Sequence, residues 1–153
     1  MSNQSEIKFK SHTDAYNSAK DFYNQCKHIK NPYVLSVGIS VVELGLKSMI
    51  EKEMGYLPEN LHAHSLRALC FAINELNVNG FKIPYATQRL FKSSGKFYEG
   101  GKYFGDNPGR CINKFTDYDF ATVSQCVQEV NKLNKEFDKA IEIANEEITY
   151  NYD

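Results

Sequence analysis

Residues 32–51 read PYVLSVGISVVELGLKSMIE, and after a short loop residues 62–66 read HAHSL. The first stretch decides the fold. From Tyr33 to Ile50 nearly every residue is apolar or glycine; the exceptions are Ser36, Ser40, Glu43, Lys47 and Ser48. Ser36, Ser40, Glu43, Lys47 and Glu51 follow one another at steps of four, three, four and four, which places them on one line of a helix. The stretch therefore predicts a helix buried on most sides and carrying a single polar seam. Other helices must surround it, so the fold class is an all-α bundle.

Working outward, the chain reads as five helices. The first starts at Ser11, with Asp14 in capping-box position, and carries Ala15, Tyr16, Ala19, Phe22, Tyr23, Cys26 and Ile29 as an apolar stripe ending near Lys30. Asn31 and Pro32 suit the cap and first turn of the second helix, and the short link predicts antiparallel packing. Gly55 ends that helix. A third begins near Ser65, buries Leu66, Leu69, Cys70, Ile73 and Leu76, and closes at Asn79-Gly80. A fourth runs from about Pro84 to about Tyr98 with Ala86, Leu90, Phe91 and Phe97 inward, followed by a glycine-rich stretch from Gly95 to Gly109. The last is long. Thr116 and Asp119 form its capping box, and Phe120, Val123, Val127, Val130, Phe137, Ile141, Ala144 and Ile148 its stripe. At 1.5 Å per residue it spans roughly 45–50 Å and should overhang its neighbours or meet a second subunit. The expected architecture is a single up-and-down bundle over residues 11–153, preceded by a polar lead over residues 1–10.

The bulk numbers restrict function. A chain of 153 residues suits one domain with a proper core. A formal net charge of −1 supplies no global field for nucleic acid or membrane, so any nucleic-acid contact has to be local. Cys26, Cys70 and Cys126 occupy apolar helix positions, Cys111 lies in a loop, and no Cys-x-x-Cys pair occurs. Free core cysteines fit a reducing cytoplasm. Met1–Glu6 has no apolar signal segment, and Glu43 and Lys47 interrupt the apolar run as a membrane span. The expectation is a cytoplasmic protein without membrane contact.

The run "SVGISVVELGLKSMI", the loop with Gly55 and Pro58, and "HAHSL" together resemble the HEPN domain (higher eukaryotes and prokaryotes nucleotide-binding). The matching residues are Glu43, Leu44, Leu46, Lys47, His64 and Leu66. A looser match joins Gly101-Lys102-Tyr103-Phe104-Gly105 and Arg110 to the family's later glycine, aromatic and arginine segment. The resemblance covers about Thr13 to Ala144. It implies an all-α bundle, commonly a homodimer, in toxin–antitoxin or phage-defence systems and often beside a small nucleotidyltransferase. Many members are metal-independent endoribonucleases with an Arg, a gap of four to six residues, and a His. Here His12, His28, His62 and His64 all precede Arg67, Arg89 and Arg110. That pair is absent, and the reading leans to a non-catalytic or divergent member.

The candidate ligand-binding residues are thus Glu43, Lys47, His64, Lys102, Tyr103 and Arg110. Their expected role is to hold a nucleotide, RNA or the surface of a nucleotidyltransferase-type partner. Glu43 and Lys47 are also readable as a plain i,i+4 ion pair, with Lys47 anchoring the His64 loop through a carbonyl. Gly95–Phe115 mixes Lys96, Lys102, Arg110 and Lys114 with five aromatics, a pattern that suits base stacking and phosphate neutralisation or the sealing of the bundle's end. Two alternatives stand beside binding. One is an endoribonuclease with an altered site, Arg110 stabilising phosphate charge and His64 acting as base; the other is a structural dimerisation module. His62 and His64 lack further ligands at metal-binding spacing, so neither metal nor organic cofactor is expected. Gly38 and Gly45, seven apart on one face, predict close approach of a neighbouring helix.

Overall fold

A computed structural model describes residues 11–62, 64–102 and 115–152. The described residues form five α-helices: α1 (His12–Cys26), α2 (Pro32–Met54), α3 (Leu66–Leu76), α4 (Tyr85–Lys102) and α5 (Asp117–Tyr152). Single 3-10 turns at Glu59–Leu61 and Val78–Gly80 flank α3.

Local chemistry sets the ends. Ser11 Oγ accepts from the Asp14 amide at 3.1 Å, and Asn31 Oδ1 from the Tyr33 amide at 2.9 Å, with Pro32 in the first turn. Each satisfies an amide that the helix itself leaves unpaired. Gly55, at φ 83, closes α2 in the left-handed conformation. Ser65 caps α3 through the Ala68 amide at 3.1 Å. Thr116 and Asp119 cap α5 reciprocally: the Thr116 amide donates to Asp119 Oδ2 at 2.8 Å, and the Asp119 amide to Thr116 Oγ1 at 3.4 Å.

α2 is the axis of the molecule. Ile39, Val41, Val42, Leu46, Met49 and Ile50 are fully buried in it. By length and composition α2 could cross a membrane, but other helices bury 72% of its most apolar window. Thr13 meets Ser48 while Tyr16 and Tyr23 meet Gly45 and Gly38, so α1 runs antiparallel to α2. Val123 meets Gly38, Val130 meets Gly45 and Asp138 meets Lys52, so α5 runs parallel to α2. α4 runs back along α5, Leu90 beside Cys126 and Phe97 beside Phe115. Helices α1, α2, α4 and α5 alternate up and down, and the short α3 sits in the α2–α4 connection.

Several boundaries and faces differ from the sequence expectations. α1 stops at Cys26, not near Lys30. Tyr16 and Tyr23 point inward, whereas Phe22 is 57% exposed and Ile29 49%. Phe22 lies about 100° around the helix from Tyr23, which takes it off the packed face, and Ile29 falls in the turn after the helix. Asn77, in the left-handed conformation, ends α3 before Asn79-Gly80 is reached. α4 continues past Tyr98 through Gly100 and Gly101 to Lys102. Glycine weakens a helix by about 1 kcal/mol without forbidding it, and buried Phe97 holds this turn against Phe115. Ala86 is exposed in the first turn of α4. Ile148 is 55% exposed, because 36-residue α5 extends about 54 Å against about 34 Å for 23-residue α2. Residues 1–10, Cys111 and the glycine-rich stretch from residue 103 onward lie outside the described residues.

At Gly38 and Gly45 the close neighbours are side chains of two helices rather than a helix backbone. A β-carbon on Gly38 would stand 2.3 Å from Val123 Cγ1 and 3.0 Å from Tyr23 Cε1. On Gly45 it would stand 2.7 Å from Val130 Cγ2 and 3.0 Å from Tyr16 Cε1. Each glycine lets α1 and α5 close on α2 at one level.

Candidate functional site

The polar seam of α2 collects three of the four histidines. Glu43 and Lys47 lie side by side on it, their side chains 8% and 7% exposed. Lys47 Nζ donates to Glu43 Oε2 at 3.2 Å and to the His62 carbonyl at 3.3 Å. Glu43 Oε1 lies 2.9 Å from His64 Nδ1. The loop that follows α2 therefore folds back onto its middle, pinned by one cation and one anion. The His62 ring reinforces the fold-back, since its Nε2 lies 3.2 Å from the Leu57 carbonyl, an oxygen that only accepts. Ser65 then starts α3.

Chemically, the arrangement fixes an imidazole. A carboxylate at Nδ1 favours the proton there and so sets the orientation of the ring. The His64 side chain is 50% exposed, against 8% for Glu43. Glu43 and Lys47 are buried and mutually paired, so they position, and His64 is the member that an incoming molecule can touch.

One helical turn further along the seam, Glu51 binds the start of α1. Its Oε1 accepts from the His12 amide at 2.9 Å, and its Oε2 lies 2.7 Å from His12 Nδ1. The His12 and His62 rings meet edge to face at 5.8 Å, so the α1 terminus and the histidine loop touch. Burial pushes the Glu51 carboxyl up, but hydrogen bonds from the His12 ring and from the His12 and Thr13 amides, with the His12 charge, outweigh it and leave the group below its usual 4.5. A carboxylate lowered by folding stabilises the fold above its unfolded value and loses that contribution as pH falls through the folded one. Glu51→Gln is thus expected to cost about 1–2 kcal/mol at neutral pH, with the difference from wild type shrinking below pH 4.5. Urea denaturation at a series of pH values checks this; a gap that stays constant into strong acid refutes it.

Of the residues named from sequence, the structure brings Glu43, Lys47 and His64 together. Lys102 is described only as the last residue of α4, and Tyr103 and Arg110 lie outside the described residues. Among the described residues, no group of three or more His, Cys, Asp or Glu is arranged to hold a metal ion. Sequence reasoning missed the pairing of His12 with Glu51. Glu51 stood on the seam, but its partner is 39 positions away. Also missed was a polar cleft of about 460 Å³ between α1 and α5, lined by Tyr16, Lys20, Lys52, Asn131, Lys135 and Asp138 among others. No family model, curated protein or solved structure matches this chain.

Proposed function

We propose that this chain is a HEPN-like helical bundle that binds a phosphate-bearing ligand, a nucleotide or RNA, at the histidine loop over the middle of α2. One observation carries the reading: a buried Glu43–Lys47 pair whose remaining hydrogen bonds go to His62 and His64. Burying two charges is costly, and here the pair orders a half-exposed imidazole. His64 is the ligand-contacting residue; Glu43 and Lys47 are positioning residues. The reading extends to a cytoplasmic homodimer, working beside a nucleotidyltransferase-type protein in a toxin–antitoxin or phage-defence setting. In that setting the same loop serves as the partner's docking point.

Titration of ATP and of a short single-stranded RNA, by calorimetry and fluorescence anisotropy, tests the site. Wild type is expected to bind, and His64→Ala to weaken binding about tenfold, with a melting temperature lower by about 2–6 °C because the buried Glu43 carboxylate loses one partner. Flat titrations, or equal affinity in the variant, overturn the reading. A second reading, an endoribonuclease with His64 as base, is favoured by the Glu43–His64 contact alone, which orients the ring as a general base requires. RNA cut by the metal-free protein, and left intact by His64→Ala, would select it.

A further inference from the structure

We propose that the cleft between α1 and α5 is a separate site for a small phosphate-bearing anion, distinct from the histidine loop. Three lysines line it, Lys20 on α1, Lys52 on α2 and Lys135 on α5, against one carboxylate, Asp138. Three ammonium groups against one carboxylate leave an excess of two positive charges, in a chain whose formal net charge is −1. A local excess of cations in a neutral-to-acidic protein selects a compact dianion better than a long polyanion, whose flanking phosphates would meet the acidic remainder. The volume of about 460 Å³ lies within the usual range for small-molecule sites.

The lining is built rather than incidental. Asn134, 4% exposed, donates to the Gly45 carbonyl at 3.1 Å and accepts from Lys52 Nζ at 3.2 Å. Lys52 Nζ also reaches Asp138 Oδ1 at 2.9 Å. The ammonium is thereby fixed by one buried amide and one carboxylate. Lys20 Nζ sits 4.9 Å over the Tyr16 ring, which holds a second cation in place. The Tyr16 hydroxyl donates to Asn131 Oδ1. Burial, and then the Asp138 charge, push that hydroxyl up to about 12, so it remains a donor at neutral pH. With its oxygen engaged, Asn131 has its NH2 group left for an acceptor. Ammonium groups from three helices and the NH2 group of Asn131 line one cleft, donors of the kind that phosphate oxygens accept from.

AMP and inorganic pyrophosphate are the probes, followed by calorimetry and thermal melts, with sodium chloride at matched ionic strength as control. The expected result is a saturable rise in melting temperature with either probe and none with chloride. Lys135→Ala, at an exposed position, and Lys20→Gln should each weaken binding about tenfold, while His64→Ala leaves it unchanged. Failure of the histidine-loop reading leaves this outcome untouched, because the two sites share no residue. The proposal is overturned if neither probe saturates, if both lysine variants bind as wild type, or if His64→Ala alone abolishes binding. It is also overturned if single-stranded RNA binds through these lysines while AMP and pyrophosphate do not.

Discussion

Lys47→Met is expected to lower the free energy of unfolding by about 3–5 kcal/mol, because it leaves the Glu43 carboxylate buried without its cation. The substitution keeps the length and apolar stem of the side chain, so the loss is electrostatic rather than a cavity. It also strips the His62 carbonyl of its donor, and the histidine loop loses one of its two pins. At roughly 2–4 °C per kcal/mol for a chain of this size, the melting temperature should fall by about 6–20 °C. The double variant Glu43→Leu/Lys47→Met should be milder than the single one, since an apolar replacement of a whole buried pair is often close to neutral. It should still lose ligand affinity, because the contacts of Lys47 with the His62 carbonyl and of Glu43 with the His64 ring are then gone. Urea denaturation of both variants decides the matter. A single variant as stable as wild type would mean that Glu43 and Lys47 are solvated on a surface, and the site would lose its foundation.

The parts legible in sequence were those written in short-range chemistry. Asn31-Pro32, Ser11 with Asp14, and Thr116 with Asp119 act within three residues, and each capped the helix it was assigned to. The burial of α2 was legible because an apolar run that long leaves no other solution, and the Glu43–Lys47 pairing because four residues make one turn. Their burial is not written in that spacing, which suits a surface pair as well as one facing a groove or an interface. The outcome at Phe22 and Ile29 was not legible, since a stripe of apolar residues does not state how wide a partner covers it. Nor was the continuation of α4 past Tyr98 to Lys102, where the tertiary contact of Phe97 with Phe115 supports a turn whose local preference is weak. The α1–α5 cleft was beyond reach for a simpler reason. Lys52 and Asp138 are 86 positions apart, and only the parallel course of α2 and α5 brings them together. Gly38 and Gly45 permit the close approach along that course, and their spacing in the sequence does not say which side chains they admit.

Those glycines carry the second large prediction. Gly38→Leu is expected to destabilise the fold by about 3 kcal/mol or more, at the upper end of overpacking costs. Two opposing effects set the sign. Alanine or leucine in place of a helical glycine gains up to about 1 kcal/mol in helix propensity. Against this, the first added carbon would lie 2.3 Å from Val123 Cγ1, inside any real contact distance. Valine in a helix is confined to essentially one χ1 rotamer, and Val123 is 1% exposed, so it has nowhere to turn. Tyr23 closes the other side at 3.0 Å. Even Gly38→Ala should therefore lose more than it gains, by about 1–2 kcal/mol net. The companion change Val123→Ala removes the offending methyl and separates crowding from every other cause. Alone it should destabilise by emptying a core position. Combined with Gly38→Ala it should cost less than the two single changes added together, because each relieves the other's fault. Thermal melts of the two single variants and the double variant read this coupling directly. Simple additivity, or a Gly38→Leu melt superimposable on wild type, would show that α1 and α5 do not close on α2 at this level.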